Sequence, residues 1–237
     1  MNLDIIYENQ DFLVVNKPAG LVVHEGAGET GETLVDLVLK KYPDLKNLNW
    51  EEPARIGIVH RLDKDTSGVI IVAKNPETLK YFQEQFKSRT VEKTYLALVS
   101  GKVEPKIGNI SMYIKRHPTH RRKMTVSYLG EGKPAVTEYK SVKNYTFKNH
   151  DLTLIEVKPH TGRMHQIRVH MKQKGYPVIG DQIYETKESK QISKKLNLNR
   201  QFLHAYKLKI TIPGEKIQEF TAELPRELNE VIEILQS

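Results

Sequence analysis

The apolar stretches of this 237-residue chain are strand-sized, and turn residues keep interrupting them. Val69-Ile70-Ile71-Val72-Ala73 is among the longest, far short of the roughly 20 apolar residues that a membrane-spanning helix needs. Strand-like runs fall at residues 4–7, 12–16, 56–60, 68–74, 91–99, 135–144, 152–158, 202–212 and 220–224. Helical spacing is confined to 33–41, 163–174 and 225–235, with one more helix opened by Asn75 as cap and Pro76 at its first position and running to about Ser88. Residues 101–133 read as turn-rich and basic, and 185–196 as a lysine-rich segment. Many strands with few helices, out of βαβ order, predict an α+β fold around a large, mixed, mainly antiparallel sheet flanked by a few helices. No linker divides the chain. One domain over 1–237 is expected, two lobes of one sheet, with a basic arm at about 107–127.

There are no cysteines, which removes disulfides, thiolate metal sites and a cysteine nucleophile. The opening MNLDIIYENQ lacks the basic and apolar regions of a signal peptide. A cytoplasmic protein is expected. The net charge of +8 is unevenly spread: residues 1–50 sum to −4, 101–150 to +8 and 151–200 to +5. Such a local excess fits a surface that faces a polyanion, and equally a solvated lysine-rich face.

Three clusters concentrate the polar chemistry. His60-Arg61-Leu62-Asp63-Lys64-Asp65-Thr66-Ser67-Gly68 lies between two predicted strands, where loops on rigid supports carry function. Asp65, Thr66 and Ser67 read as ordinary turn residues, whereas composition alone does not decide the role of Asp63. The second cluster is Thr161-Gly162-Arg163-Met164-His165-Gln166-Ile167-Arg168-Val169-His170. If helical, its first turn is basic against the helix dipole, an arrangement tolerated near an anion, and the bland alternative is a surface helix with scattered cations. Histidines at 160, 165 and 170 are five apart, a spacing unsuited to metal chelation from one helical face. The third cluster, Tyr113 to Met124, holds Lys115, Arg116, Arg121, Arg122 and Lys123 beside an aromatic. Such cations suit phosphates and the aromatic suits bases, so this segment reads as a nucleic-acid contact more readily than as a polar loop.

The phosphate-binding GxxxxGK[ST] loop, GxGxxG, GxSxG and HExxH are all absent. Asp63 and Asp65 have no further acidic cluster to complete a two-metal site. Taken together, the motifs resemble the RluA-type family of RNA pseudouridine synthases over nearly the whole chain. Asn16-Lys17-Pro18-Ala19-Gly20 with Leu21 to His24 resembles the family's opening segment, and His60-Arg61-Leu62-Asp63 with Asp65-Thr66-Ser67-Gly68 matches its signature. Lys93-Thr94-Tyr95-Leu96-Ala97 resembles the tyrosine motif, and Gly162-Arg163 with His165-Gln166-Ile167-Arg168 and His170 the third motif. Gly180-Asp181 with Tyr184, and Gln201 with Leu203-His204-Ala205, fit the C-terminal elements. Glu185 departs from the family, where glycine often follows the tyrosine. With the motifs beginning at Asn16, the accessory RNA-binding domain that many members carry is not expected.

The resemblance implies the family's catalytic fold and its reaction: specific uridines of structured RNA, ribosomal or transfer, become pseudouridine without metal, nucleotide or other cofactor. It implies Asp63 as the carboxylate at the sugar–base junction, attacking C1′ or abstracting a C2′ proton. It makes Arg168 the ion-pair partner of that carboxylate and Tyr95 the acceptor of the C5 proton. Ile167 would pack on the base, Arg61 would fill the space of the extruded base, and His60, His165 and Gln166 would support substrate binding. Lys115, Arg116, Arg121, Arg122, Lys123 and Arg163 would hold RNA backbone. The expected partner is RNA and the expected state a monomer, with no membrane. The alternative is an RNA-binding or ribosome-assembly protein of this fold without essential catalysis.

Overall fold

A computed structural model of the chain describes residues 2–25, 31–120, 122–128, 130–214 and 216–237. The elements run β1 (Ile5–Glu8), β2 (Phe12–Lys17), α1 (Leu34–Lys41), β3 (Ser67–Ala73), α2 (Pro76–Ser88), β4 (Glu92–Ser100), β5 (Ile107–Arg116) and β6 (Met124–Ser127). They continue with β7 (Lys133–Phe147), β8 (His150–Pro159), α3 (Gln166–Gln173), α4 (Lys187–Lys195), β9 (Leu203–Ile212), β10 (Lys216–Thr221) and α5 (Arg226–Gln236). The α+β expectation holds. Among the described residues no helix is long and apolar enough to cross a membrane. The chain forms two compact units: Met1–Glu92 with Ala205–Glu223, and Lys93–His204 with Leu224–Ser237.

In the first unit β2 pairs antiparallel with β1 and with β3. β9 lies beside β3, and β10 pairs antiparallel with β9. Every residue of β3 is buried, which explains why its sequence is a continuous apolar run rather than an alternating one. At its start Gly68 has φ +119°, and a Cβ there would lie 2.2 Å from the Ala205 carbonyl oxygen. Only glycine lets the two backbones approach so closely. α2 begins as its sequence predicts: the Asn75 side chain accepts from the Thr78 N–H at 2.8 Å, with Pro76 at the first position. It seats Phe82 edge-on against Phe12 at 5.2 Å, in a core with Val14, Ile71, Leu208 and Phe220. Complete burial of Phe82 stabilises this packing by about 2 kcal/mol.

In the second unit β4 pairs with β8, β8 with β7, β7 with β5 and β5 with β6, all antiparallel. Successive residues alternate between two cores. Ala97, Val99, Ile155 and Val157 pack with Ile167 and Met171 of α3. Leu98 and Leu152 pack with Ile192 of α4 and with Leu228 and Val231 of α5. Both sheet faces are therefore covered, as period-two alternation requires.

Four sequence expectations need correction. Residues 101–133 contain the strands β5 and β6 rather than turns alone; Ile110 and Ile114 are buried on one face while Asn109, Ser111 and Lys115 alternate with them. The segment 185–196 contains helix α4, stabilised by a reciprocal Thr186–Ser189 capping box with Ile192 buried and most lysines outward. Residues 56–60 form no strand, only the single bridge Ile58 to Val72. Helix α3 starts at Gln166, three residues later than the spacing suggests, because His165 adopts φ 54° and turns the chain there. Arg163 therefore precedes the helix and opposes no dipole; its Nε–H donates to the Pro134 carbonyl at 3.1 Å.

Candidate active site

In the first unit, Asp63 lies on the loop that enters β3. It is partly buried, Arg61 and Lys64 are exposed, and Thr66 and Ser67 are buried. The loop is fixed by Lys17, whose side chain is fully buried. Its Nζ donates to the carbonyls of Pro18 at 2.8 Å, Leu21 at 2.8 Å and Lys64 at 2.9 Å. An ammonium has three donors, and these three carbonyls lie within reach of them. The Gly20 N–H also donates to the Lys64 carbonyl, and the Thr66 N–H to that of Asp63, both at 3.0 Å. The backbone on both sides of Asp63 is thus pinned. A buried charge costs several kcal/mol unless its donors are satisfied, so the loop and the lysine hold each other in place.

His60 anchors the same loop on its other side. Its ring stacks on Phe86 of α2 at 4.6 Å, and its Nε2 accepts from the Ile71 N–H at 3.2 Å. The hydrogen of the neutral ring then sits on Nδ1. These contacts make His60 a scaffold residue of the loop.

In the second unit, Arg168 on α3 is 4% exposed and Asp181 is fully buried. They form a two-pronged pair, Nε to Oδ2 at 2.7 Å and Nη2 to Oδ1 at 2.8 Å, the geometry that most strongly fixes a guanidinium. Asp181 Oδ1 also accepts from the amides of Ile183 at 2.9 Å and Tyr184 at 3.1 Å. The Tyr184 ring lies 5.2 Å from the Arg168 guanidinium. Its hydroxyl accepts from the Met124 N–H at 2.8 Å and meets His165 Nδ1 at 2.9 Å. A continuous polar chain thus runs from β6 through Tyr184 and Asp181 to Arg168.

Gln166 is buried and fully used. Its Oε1 accepts from Thr161 Oγ1 at 2.6 Å and from the Arg163 N–H at 3.0 Å. Its Nε2 donates to the Val136 carbonyl and to Thr137 Oγ1, both at 2.9 Å. It ties the turn before α3 to β7. Thr137 Oγ1 meets His170 Nδ1 at 2.9 Å, and the buried His170 Nε2 has no partner among the described residues. Burial pushes the His170 imidazole down from 6.5 to about 4, so it is neutral at pH 7. Ile167 and Tyr95 pack in one cluster, with Tyr95 opposite Val157 on β4 and partly exposed.

The basic cluster sits at the tip of the β5–β6 hairpin. Lys115 and Arg116 end β5, Arg122 and Lys123 precede β6, and Arg121 lies outside the described residues. Lys115 is paired with Glu131, whose carboxyl it holds below the usual carboxylate range. No set of three or more His, Asp or Glu side chains able to hold a metal occurs among the described residues. Sequence reasoning gave no role to Lys17, Asp181 or Tyr184. Each stood inside a recognised motif, which was the available signal.

A family profile described as RNA pseudouridylate synthase matches residues 11–173. The chain is 41% identical, over 94% of its length, to "Ribosomal large subunit pseudouridine synthase D" of Borreliella burgdorferi. It is 42% identical, over its full length, to "Uncharacterized RNA pseudouridine synthase YlyB" of Bacillus subtilis. It spans 65% and 74% of those two relatives. Among solved structures, human RNA pseudouridylate synthase domain containing 4 superimposes with a TM-score of 0.75 at 26% identity, over 98% of this chain and 93% of the other.

Proposed function

We propose that this chain, which belongs to the RNA pseudouridylate synthase family, isomerises uridine to pseudouridine in RNA. The substrate class is large-subunit ribosomal RNA, by similarity to the relatives so named. The supporting observation is the loop of Asp63: a carboxylate on a backbone held by the buried Lys17, within the stretch that the family profile matches.

In this reading the target uridine leaves its stack, at a cost of a few kcal/mol, and Arg61 takes its place. Asp63 engages the sugar at C1′ or C2′, and the N1–C1′ bond breaks. The uracil turns, C5 bonds to C1′, the C5 proton passes to Tyr95 directly or through water, and N1 gains a proton. No atoms are lost overall. Arg168 supplies the fixed positive charge that favours the anionic carboxylate and the departing base. Ile167 gives the base an apolar contact. His60, His165 and Gln166 hold the supporting backbone. Lys115, Arg116, Arg121, Arg122, Lys123 and Arg163 face the RNA backbone. The protein acts in the cytoplasm as a monomer of one catalytic domain with a basic arm, without metal or nucleotide cofactor.

Tritium release from large-subunit ribosomal RNA labelled at uridine C5 tests this reading. Wild type should release tritium in the presence of a chelator. Asp63→Asn should bind the RNA with unchanged affinity and lose activity by about a thousandfold or more, roughly 4 kcal/mol in the barrier. Retained activity would remove Asp63 from the reaction.

A further inference from the structure

The second unit carries a cleft of about 260 Å³ between β6 and α3. Met124, Val126, Val169 and Ile183 give it apolar walls, and Lys123 and Lys172 stand among its lining residues. Both lysines are half-buried, and neither is paired with a carboxylate among the described residues. Glu185, the carboxylate that lines the cleft, is engaged with Lys190 at 2.7 Å. Two lysines lining one cavity give it a positive field that favours an anion. Gln173, another lining residue, donates from Nε2 to the hydroxyl of Tyr128 at 2.6 Å. Tyr128 is 73% exposed; a large aromatic so exposed, yet held by its hydroxyl at the rim, is a stacking surface. None of Asp63, Tyr95 or Arg168 lines the cleft.

Apolar walls, an exposed ring and two unpaired cations are the chemistry of a nucleotide: a flat base beside a phosphate. We propose that this cleft binds a non-reacting nucleotide of the RNA, with its phosphate between Lys123 and Lys172 and its base against Met124 or Tyr128. The inference rests on the isomerase reading and deepens it. It gives the RNA a second fixed point, away from the bond that is exchanged.

The test compares Lys123→Ala combined with Lys172→Ala against Lys80→Ala combined with Lys106→Ala, exposed lysines that remove the same charge. The probe is the tritiated large-subunit transcript, read by initial rates and by filter binding over a range of salt. The cleft pair should raise KM and Kd about tenfold and flatten the salt slope by roughly 0.7 to 0.9, as for one phosphate no longer neutralised. Its kcat should stay within twofold, because the lost binding is uniform across ground and transition states. The control pair should stay within twofold in every constant. Tyr128→Ala should raise KM about threefold. Equal weakening by both lysine pairs would show a diffuse field and overturn the subsite. So would a fall in kcat at unchanged KM, or competition by uridine monophosphate as effective as by the transcript. If wild type binds the transcript but releases no tritium, the isomerase reading fails on its own, and the filter-binding contrast alone then decides the cleft.

Discussion

Lys17 and Arg168 are both buried cations beside a motif of the candidate site, yet the contacts that fix them differ in kind. Lys17 in the first unit donates to three backbone carbonyls. Arg168 in the second unit is met by a carboxylate, Asp181, along two parallel bonds. A carbonyl cage fits a compact ammonium whose three hydrogens spread in space, and it converts the charge into control over the course of the chain. A carboxylate fits a planar fork, and it converts the charge into control over the orientation of one side chain. The first arrangement shapes a loop; the second aims a guanidinium.

The largest effect should come from removing the anion. Asp181→Ala leaves the Arg168 guanidinium buried without this counter-charge and should cost about 4 kcal/mol of stability, read by urea unfolding. Asp181→Asn keeps an acceptor for the amides of Ile183 and Tyr184 but weakens the pair. It should lower kcat about thirtyfold with KM nearly unchanged, the pattern of a group acting in the transition state. An unchanged kcat would mean that the pair serves folding alone.

Lys17→Met should cost about 3 kcal/mol, roughly 1 kcal/mol for each carbonyl left without its donor. The sharper form is the crossed exchange. Lys17→Arg should fail nearly as badly as Lys17→Met, because a planar fork cannot meet three carbonyls grouped around a point. Arg168→Lys should lose one of its two bonds to Asp181 and about 2 kcal/mol. If either exchange were silent, charge alone would matter at that site and the distinction between cage and fork would fall.

The same contrast explains how much the sequence disclosed. β3 and α2 were legible because their signals are local: a continuous apolar run, and Asn75-Pro76 as a cap and first position. The Asp63 loop was legible as a motif. The role of Lys17 was not, because its partners include Lys64, 47 positions away, and nothing in Asn16-Lys17-Pro18 reveals which carbonyls will surround it. Asp181 was visible as part of Gly180-Asp181, but its bond to Arg168 depends on how the segment between α3 and α4 folds back onto α3. Helix α3 was placed three residues too early because Arg163 and Met164 continue its spacing. What stops it is the positive φ of His165 and the grip of Gln166 on residues 136, 137, 161 and 163. Helix α4 is hidden in the sequence by a high lysine content that masks one buried isoleucine and a capping box.

His170 extends the comparison to a third buried base, two residues beyond Arg168. It has neither cage nor carboxylate, only the Thr137 hydroxyl on Nδ1 and an unpartnered Nε2, and it remains neutral with a pKa near 4. The unfolded chain binds this proton near the ordinary value of 6.5. Unfolding therefore takes up a proton between about pH 6.5 and pH 4, and stability falls as the pH is lowered through that window. Above it the contribution is constant, and below it no further loss arises from this group. The loss should reach about 2 to 3 kcal/mol at pH 4, and its confinement to one pH window makes it the most specific of the effects in form. His170→Asn, whose amide can donate to Thr137 or accept from it, should remove that slope while leaving stability at pH 8 within about 1 kcal/mol of wild type. The readout is urea unfolding of both proteins at pH 8, 6 and 4.5. Parallel pH profiles would mean that the imidazole gains its proton in the folded state without cost, and that a third way of housing a buried base, by keeping it uncharged, is not in use here.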